Sequence, residues 1–147
     1  MVERKYEYNF SELIDRLTIL GLKETFNPEL KKEYAQEISD VIHDINIILT
    51  ETNKREMINA EFIRNVIVLA QFNQHIWGNE DLDRKVEVET GEVNWEEKYK
   101  RLRLTHSLNN GIRNVAKKKI QSLLGGRYEF KNMGLAPEHD AWRPYGY

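Results

Sequence analysis

The chain has 147 residues, no cysteine and a formal net charge of -2, a size that fits one domain able to bury a core without covalent staples. The missing cysteines exclude a disulfide, a thiolate metal site and a cysteine nucleophile, which suits a reducing compartment. Met1-Val-Glu-Arg-Lys has no apolar signal core and no run approaches the roughly 20 apolar residues that cross a bilayer, so the expectation is a soluble, cytoplasmic protein without a membrane partner. The small net charge makes nucleic acid an unlikely partner, although charge is uneven: Glu80 to Glu97 is acidic and Lys98 to Lys131 is basic.

Asn9, with Glu12 three residues on, has the pattern of a capping box and opens a helix to about Thr25. Leu13, Ile14, Leu17, Leu20 and Gly21 form its inner face, while Ile19 and Leu22 are apolar on the other side. A helix apolar nearly all round is either central or lies under a partner chain. Asn27-Pro28 reads as an N-cap with proline at the first helical position, opening a second helix to about Glu51 with Tyr34, Ile38, Val41, Ile45 and Ile48 inward and Ile42 widening the stripe. Thr52-Asn53 closes it, and a third helix keeps its period from about Arg55 through Trp77, reaching as far as Lys85. Val86 to Trp95 alternates apolar and acidic residues around Thr90-Gly91 and reads as a hairpin or an irregular acidic insertion. A last long helix spans Trp95 to Leu124 and stops at Gly125-Gly126. The expected fold is therefore an all-α bundle of about four main helices over 1–126, followed by an aromatic tail, 127–147. That tail carries Tyr128, Phe130, Trp142, Tyr145 and Tyr147 and is expected to dock in cis or in trans.

Helical spacing places Asn73, Trp77, Glu80 and Arg84 on one stripe, continuing the apolar line of Phe62, Val66 and Leu69 toward the core. Buried polar groups need partners. On the last helix His106, Asn110, Arg113 and Lys117 recur along one edge as candidate partners for Glu80, Asp81 and the acids of the second helix. Two readings follow from this geometry: an inter-helical network that fixes register, or a polar pocket in which Arg84, Arg113 and Lys117 hold a small anionic ligand, with Glu80 and Asp81 orienting them and Trp77 as an apolar wall. The histidines, His43, His75, His106 and His139, show no metal-ligand spacing, and no glycine-rich phosphate loop or nucleophile elbow is present.

Glu12-x-x-Asp15 and Glu37-x-x-Asp40 form two acidic pairs on neighbouring helices, of a type that could hold magnesium and through it a triphosphate. This pattern, with Glu37-Ile-Ser-Asp-Val-Ile, resembles the metal site of the all-helical nucleoside triphosphate pyrophosphohydrolases, whose first motif is usually Glu-x-x-Glu. Three further stretches together are similar to a helical domain-of-unknown-function family of bacteria and their phages. They are Ser11-Glu-Leu-Ile-Asp-Arg-Leu-Thr-Ile-Leu-Gly-Leu-Lys23, Asn73 to Arg84 with its Asn-x-x-Ile-Trp-x-x-Glu-Asp-x-x-Arg pattern, and Asn110, Arg113, Lys117 and Ile120. They cover roughly a quarter of the chain in the family's order, with Arg16 where lysine is usual. The resemblance implies a helical fold and a polar motif set of Asp15, Arg16, Lys23, Asn73, Trp77, Glu80, Asp81, Arg84, Asn110, Arg113 and Lys117, and supplies no reaction. A third expectation is a structural subunit, a homo-oligomer or a protein partner assembling through the first helix and the tail.

Overall fold

In a computed structural model of the chain, which describes residues 9–124 and 144–147, Asn9 takes extended backbone dihedrals and its carbonyl accepts from Glu12 and Leu13 at 2.9 and 3.1 Å. Helix α1 (Phe10–Phe26) starts there. It packs against three other helices, which explains why it is apolar on nearly every side. Phe10 and Ile14 join one apolar cluster with Leu49, Phe62, Leu69, Ile112 and Ile120. Leu13 and Leu20 join a second with Val41, flanked by Tyr34 and Ile38. The first helix is thus the centre of the bundle.

Pro28 sits at the first position of a single 3-10 turn, Pro28–Leu30, that feeds α2 (Lys31–Glu51). Val41 and Leu49 are the buried residues of α2, whereas Ile42 points outward. Asn53 then takes φ 52°, a left-handed conformation that asparagine tolerates better than most residues. A short turn, Arg55–Met57, follows, and the third helix begins later than the sequence suggests. Asn59 caps it by accepting from the Phe62 N–H at 3.0 Å.

That helix, α3 (Ala60–Thr90), passes through Gly78 unbroken and takes in the first half of the segment expected to be a hairpin or irregular insertion, leaving residues 91–94 as an irregular link. Val86 to Thr90 is its last turn, and Gly91 ends it with φ 62°. The reason lies in side-chain pairing. As a helix, this stretch sets Asp83 and Glu87 against Arg101 and Lys98 of α4 (Trp95–Leu108), whereas an isolated two-stranded hairpin is marginal in water. Asn94 caps α4 through the Glu97 N–H at 3.2 Å.

The last long helix is interrupted by a π-helical turn, Asn109–Arg113, before α5 (Asn114–Ser122). The described helix ends at Ser122, and Gly125-Gly126 lies outside the described residues. Helices α1, α3 and α5 enclose the main core, α2 covers α1, and α4 lies along α3. Among the described residues there is no strand, so the chain is an all-α bundle.

Of the tail, Tyr128, Phe130 and Trp142 lie outside the described residues, whereas Pro144 to Tyr147 touches this chain's own helices. Tyr147 packs against the main core, its hydroxyl donates to Asn65 Oδ1 on α3, and Lys119 Nζ of α5 sits 3.9 Å from its ring centroid. Arg64 donates to the Tyr145 carbonyl at 2.6 Å. Burial raises the Tyr147 phenol above its ordinary value, with the Arg64 charge opposing and the Glu61 charge adding to the shift. A raised phenol contributes stability that is complete below the unfolded value of 10.0 and disappears as pH climbs through the folded one. The melting temperature should therefore fall more steeply above pH 10 in the wild type than in Tyr147→Phe, as thermal unfolding between pH 8 and 11 will show. In the core, Leu69 is wholly buried, and Leu69→Ala should cost about 2–5 kcal/mol in urea unfolding at unchanged m.

Candidate functional site

The carboxylate of Asp15 faces the interior of the bundle, only 4% exposed, and three helices converge on it. Asn73 Nδ2 on α3 donates to Asp15 Oδ1 at 2.8 Å and to Thr18 Oγ1 at 2.8 Å. Thr18 in turn donates to the Asp15 carbonyl at 2.8 Å. Arg113 Nη2, from the π turn, donates to Asp15 Oδ2, and Lys117 Nζ of α5 lies 3.7 Å from that oxygen and 2.7 Å from Glu12 Oε1. Lys117 is itself buried. The buried Asp15 and Lys117 are thus balanced by the partly buried Arg113 and by Glu12 at the edge of the bundle, two carboxylates against two cations, and such pairing is the condition under which charged groups tolerate burial.

Arg113 reaches Asp15 because of the π turn. In an unbroken helix Arg113 would sit about 120° around the axis from Arg101, twelve residues earlier. One residue added to a turn sets the register back by about 100°. The rod can therefore present Lys98 and Arg101 to the outer half of α3 and, further on, Arg113 and Lys117 to Asp15. Asn109, at the start of that turn, accepts from Arg113 Nη1 and fixes the guanidinium. Close by, Gln121 Oε1 on α5 accepts from the Ser11 N–H at 3.1 Å, satisfying one of the orphan donors of the α1 N-terminus.

Of the residues singled out in the sequence, Asp15, Asn73, Arg113 and Lys117 come together. The remainder of the polar stripe does not. Trp77 is half-buried, Glu80 and Arg84 are exposed, and Asp81 pairs with Lys85 on its own helix at 2.9 Å. Further along α3, α4 engages Asp83 and Glu87 through Arg101 and Lys98, while Glu80 and Arg84 remain exposed. Lys23 lies over the Tyr34 ring at 5.7 Å, and the Asn110 side chain lies outside the described residues. The buried Asn65 and Gln121 and the half-buried Thr18 and Asn109 were not singled out in the sequence.

The four acids of the candidate magnesium site, Glu12, Asp15, Glu37 and Asp40, line one groove between α1 and α2, joined by Asp44 and Arg16. The groove has a volume of about 440 Å³ and a floor of Leu13, Ile19 and Val41. As arranged, these acids do not fit an ion held by several carboxylates. Glu12 and Asp15 are turned to Lys117 and Arg113, Arg16 Nε donates to Glu37 Oε1 at 2.6 Å, and Gln36 donates to Asp40 at 2.8 Å. Among the described residues no three acidic or imidazole side chains converge as a metal site, and no helix is long and apolar enough to cross a membrane.

With this geometry in place, comparison with known proteins gives no matching family model, no matching curated protein and no matching solved structure. The cluster itself makes a clear prediction. Asp15→Ala removes the carboxylate shared by two buried cations and should cost about 3–5 kcal/mol in chemical denaturation. Replacing the charges together, as Asp15→Leu with Arg113→Met, should recover much of that loss.

Proposed function

We propose that this protein is a non-enzymatic helical binding module in which the Asp15 cluster is a structural network and the α1/α2 groove is the ligand site. The observation that carries this reading is the make-up of that groove: an apolar floor of Leu13, Ile19 and Val41 edged by five carboxylates, of which Glu12, Asp15 and Glu37 meet Lys117, Arg113 and Arg16 while Asp40 and Asp44 complete the acidic rim. An apolar strip edged with negative charge suits a basic group on an aliphatic stem, such as a polyamine or a lysine side chain, whose methylenes lie on the floor while its nitrogens reach the acids. An anionic ligand is less well served. Arg113 and Lys117 face Asp15 and Glu12, and Arg84 is exposed on α3 away from both.

Magnesium-dependent nucleotide hydrolysis is the second reading, favoured by one observation, that all four candidate acids line the same groove. The resemblance to the bacterial and phage helical family adds no reaction to either reading.

Calorimetric titration with spermidine at low salt should show binding that weakens about tenfold in the Asp40→Asn, Asp44→Asn double variant, one step of roughly 1.4 kcal/mol. Absence of spermidine binding, together with magnesium-dependent release of pyrophosphate from a nucleoside triphosphate that Glu37→Ala abolishes, would replace the first reading by the second.

A further inference from the structure

Beyond Asn73, α3 and α4 run side by side, and the seam between them is closed by Asp83 with Arg101 and by Glu87 with Lys98 at 2.6 Å. On α4 the residues Trp95, Tyr99 and Leu102 are 72%, 61% and 52% exposed. Their spacing of four and three places them on one face of the helix, bordered by cations of the same helix: Lys98 Nζ lies 5.6 Å from the Trp95 ring centroid and the Arg103 guanidinium 5.7 Å from that of Tyr99. A tryptophan and a tyrosine bury roughly 150–250 Å² each when covered. This stripe therefore offers of the order of 300 Å² of apolar area, the size of the largest patch on a typical monomer, which is often functional.

The charges on α4 indicate what covers it. Glu96 and Glu97 lie in the first turn, where Glu96 pairs with Lys100 at 3.0 Å, whereas Arg103 lies in the second half. A second α4 laid antiparallel across the stripe, with Tyr99 near a two-fold axis, would set Trp95 against Leu102 of the other copy and Glu96 beside its Arg103. A parallel arrangement would place like charges together. Such an isologous contact is self-complementary in both shape and sign.

We propose that the Trp95, Tyr99 and Leu102 face of α4 is a self-association surface, on which a second copy of this chain docks its own α4 in antiparallel fashion. The stripe alone is well below the roughly 800 Å² per partner of a standard interface, so the dimer is of micromolar strength and responds to salt through its Glu96 and Arg103 pairs.

Sedimentation velocity of the full chain from 1 to 200 µM should show a monomer–dimer equilibrium, and Tyr99→Glu should remain monomeric throughout with unchanged circular dichroism. Glu96→Lys and Arg103→Glu should each weaken the dimer at least fivefold, and the double variant Glu96→Lys, Arg103→Glu should restore it. A wild-type monomer at 200 µM whose Trp95 is already shielded from iodide would assign the stripe to residues of the same chain and overturn the proposal. A monomer with quenchable Trp95 would overturn it as well. A dimer that both single charge variants leave intact, or that the double variant fails to restore, would overturn the antiparallel arrangement.

Discussion

The fold turns on placing the carboxylate of Asp15 in the interior. Ionised carboxylates are among the most expensive groups to take from water, and here the cost is offset by donors from two other helices: the Asn73 amide of α3, the Arg113 guanidinium of the π turn and the Lys117 ammonium of α5. Apolar packing would bring α1, α3 and α5 together in several rotations about their axes. Only a rotation that points all of these donors at one oxygen pair leaves no charge stranded. The network therefore acts mainly on which packing is adopted, and less on how much total stability the packing provides. The same carboxylate lines the α1/α2 groove, so the interior network and that groove share a wall.

Helical periodicity made most of the framework legible. Asn27-Pro28 marked the break before α2, and the apolar residues of α1 on every side anticipated its central position. The π turn was not legible, because a sequence read at 3.6 residues per turn contains no mark for one added residue. Asn109, Asn110 and Gly111 are poor helix formers, which makes this the place where the backbone ladder yields most easily. The turn decides which residues of the last helix face Asp15, so reading the edge His106, Asn110, Arg113 and Lys117 as one straight line was too simple.

The stripe Asn73, Trp77, Glu80 and Arg84 shows a second limit. Rotation about a helix axis tells which residues share a side, but not whether another helix is present on that side. Asn73 reaches Asp15 and Thr18 of α1, whereas Glu80 and Arg84 on the same stripe are exposed. Conversely, Asn65 lies between Phe62 and Leu69 on the buried line and could have been recognised as a polar residue in need of a partner, which proves to be Tyr147 from the far end of the sequence. Thr18, three residues after Asp15, carried a similar signal.

The contact between Ser11 and Gln121 joins positions 110 residues apart, and that between Asp15 and Arg113 spans 98. A ribosome adding about 5–20 residues per second delivers the first helix of the bundle of the order of ten seconds before the residues that satisfy its polar groups. During that interval the central helix has its apolar sides and its carboxylate but not its closing partners. Completion of the interior therefore waits on the last helix, and a chain truncated before Arg113 would leave Asp15 without its guanidinium and ammonium partners.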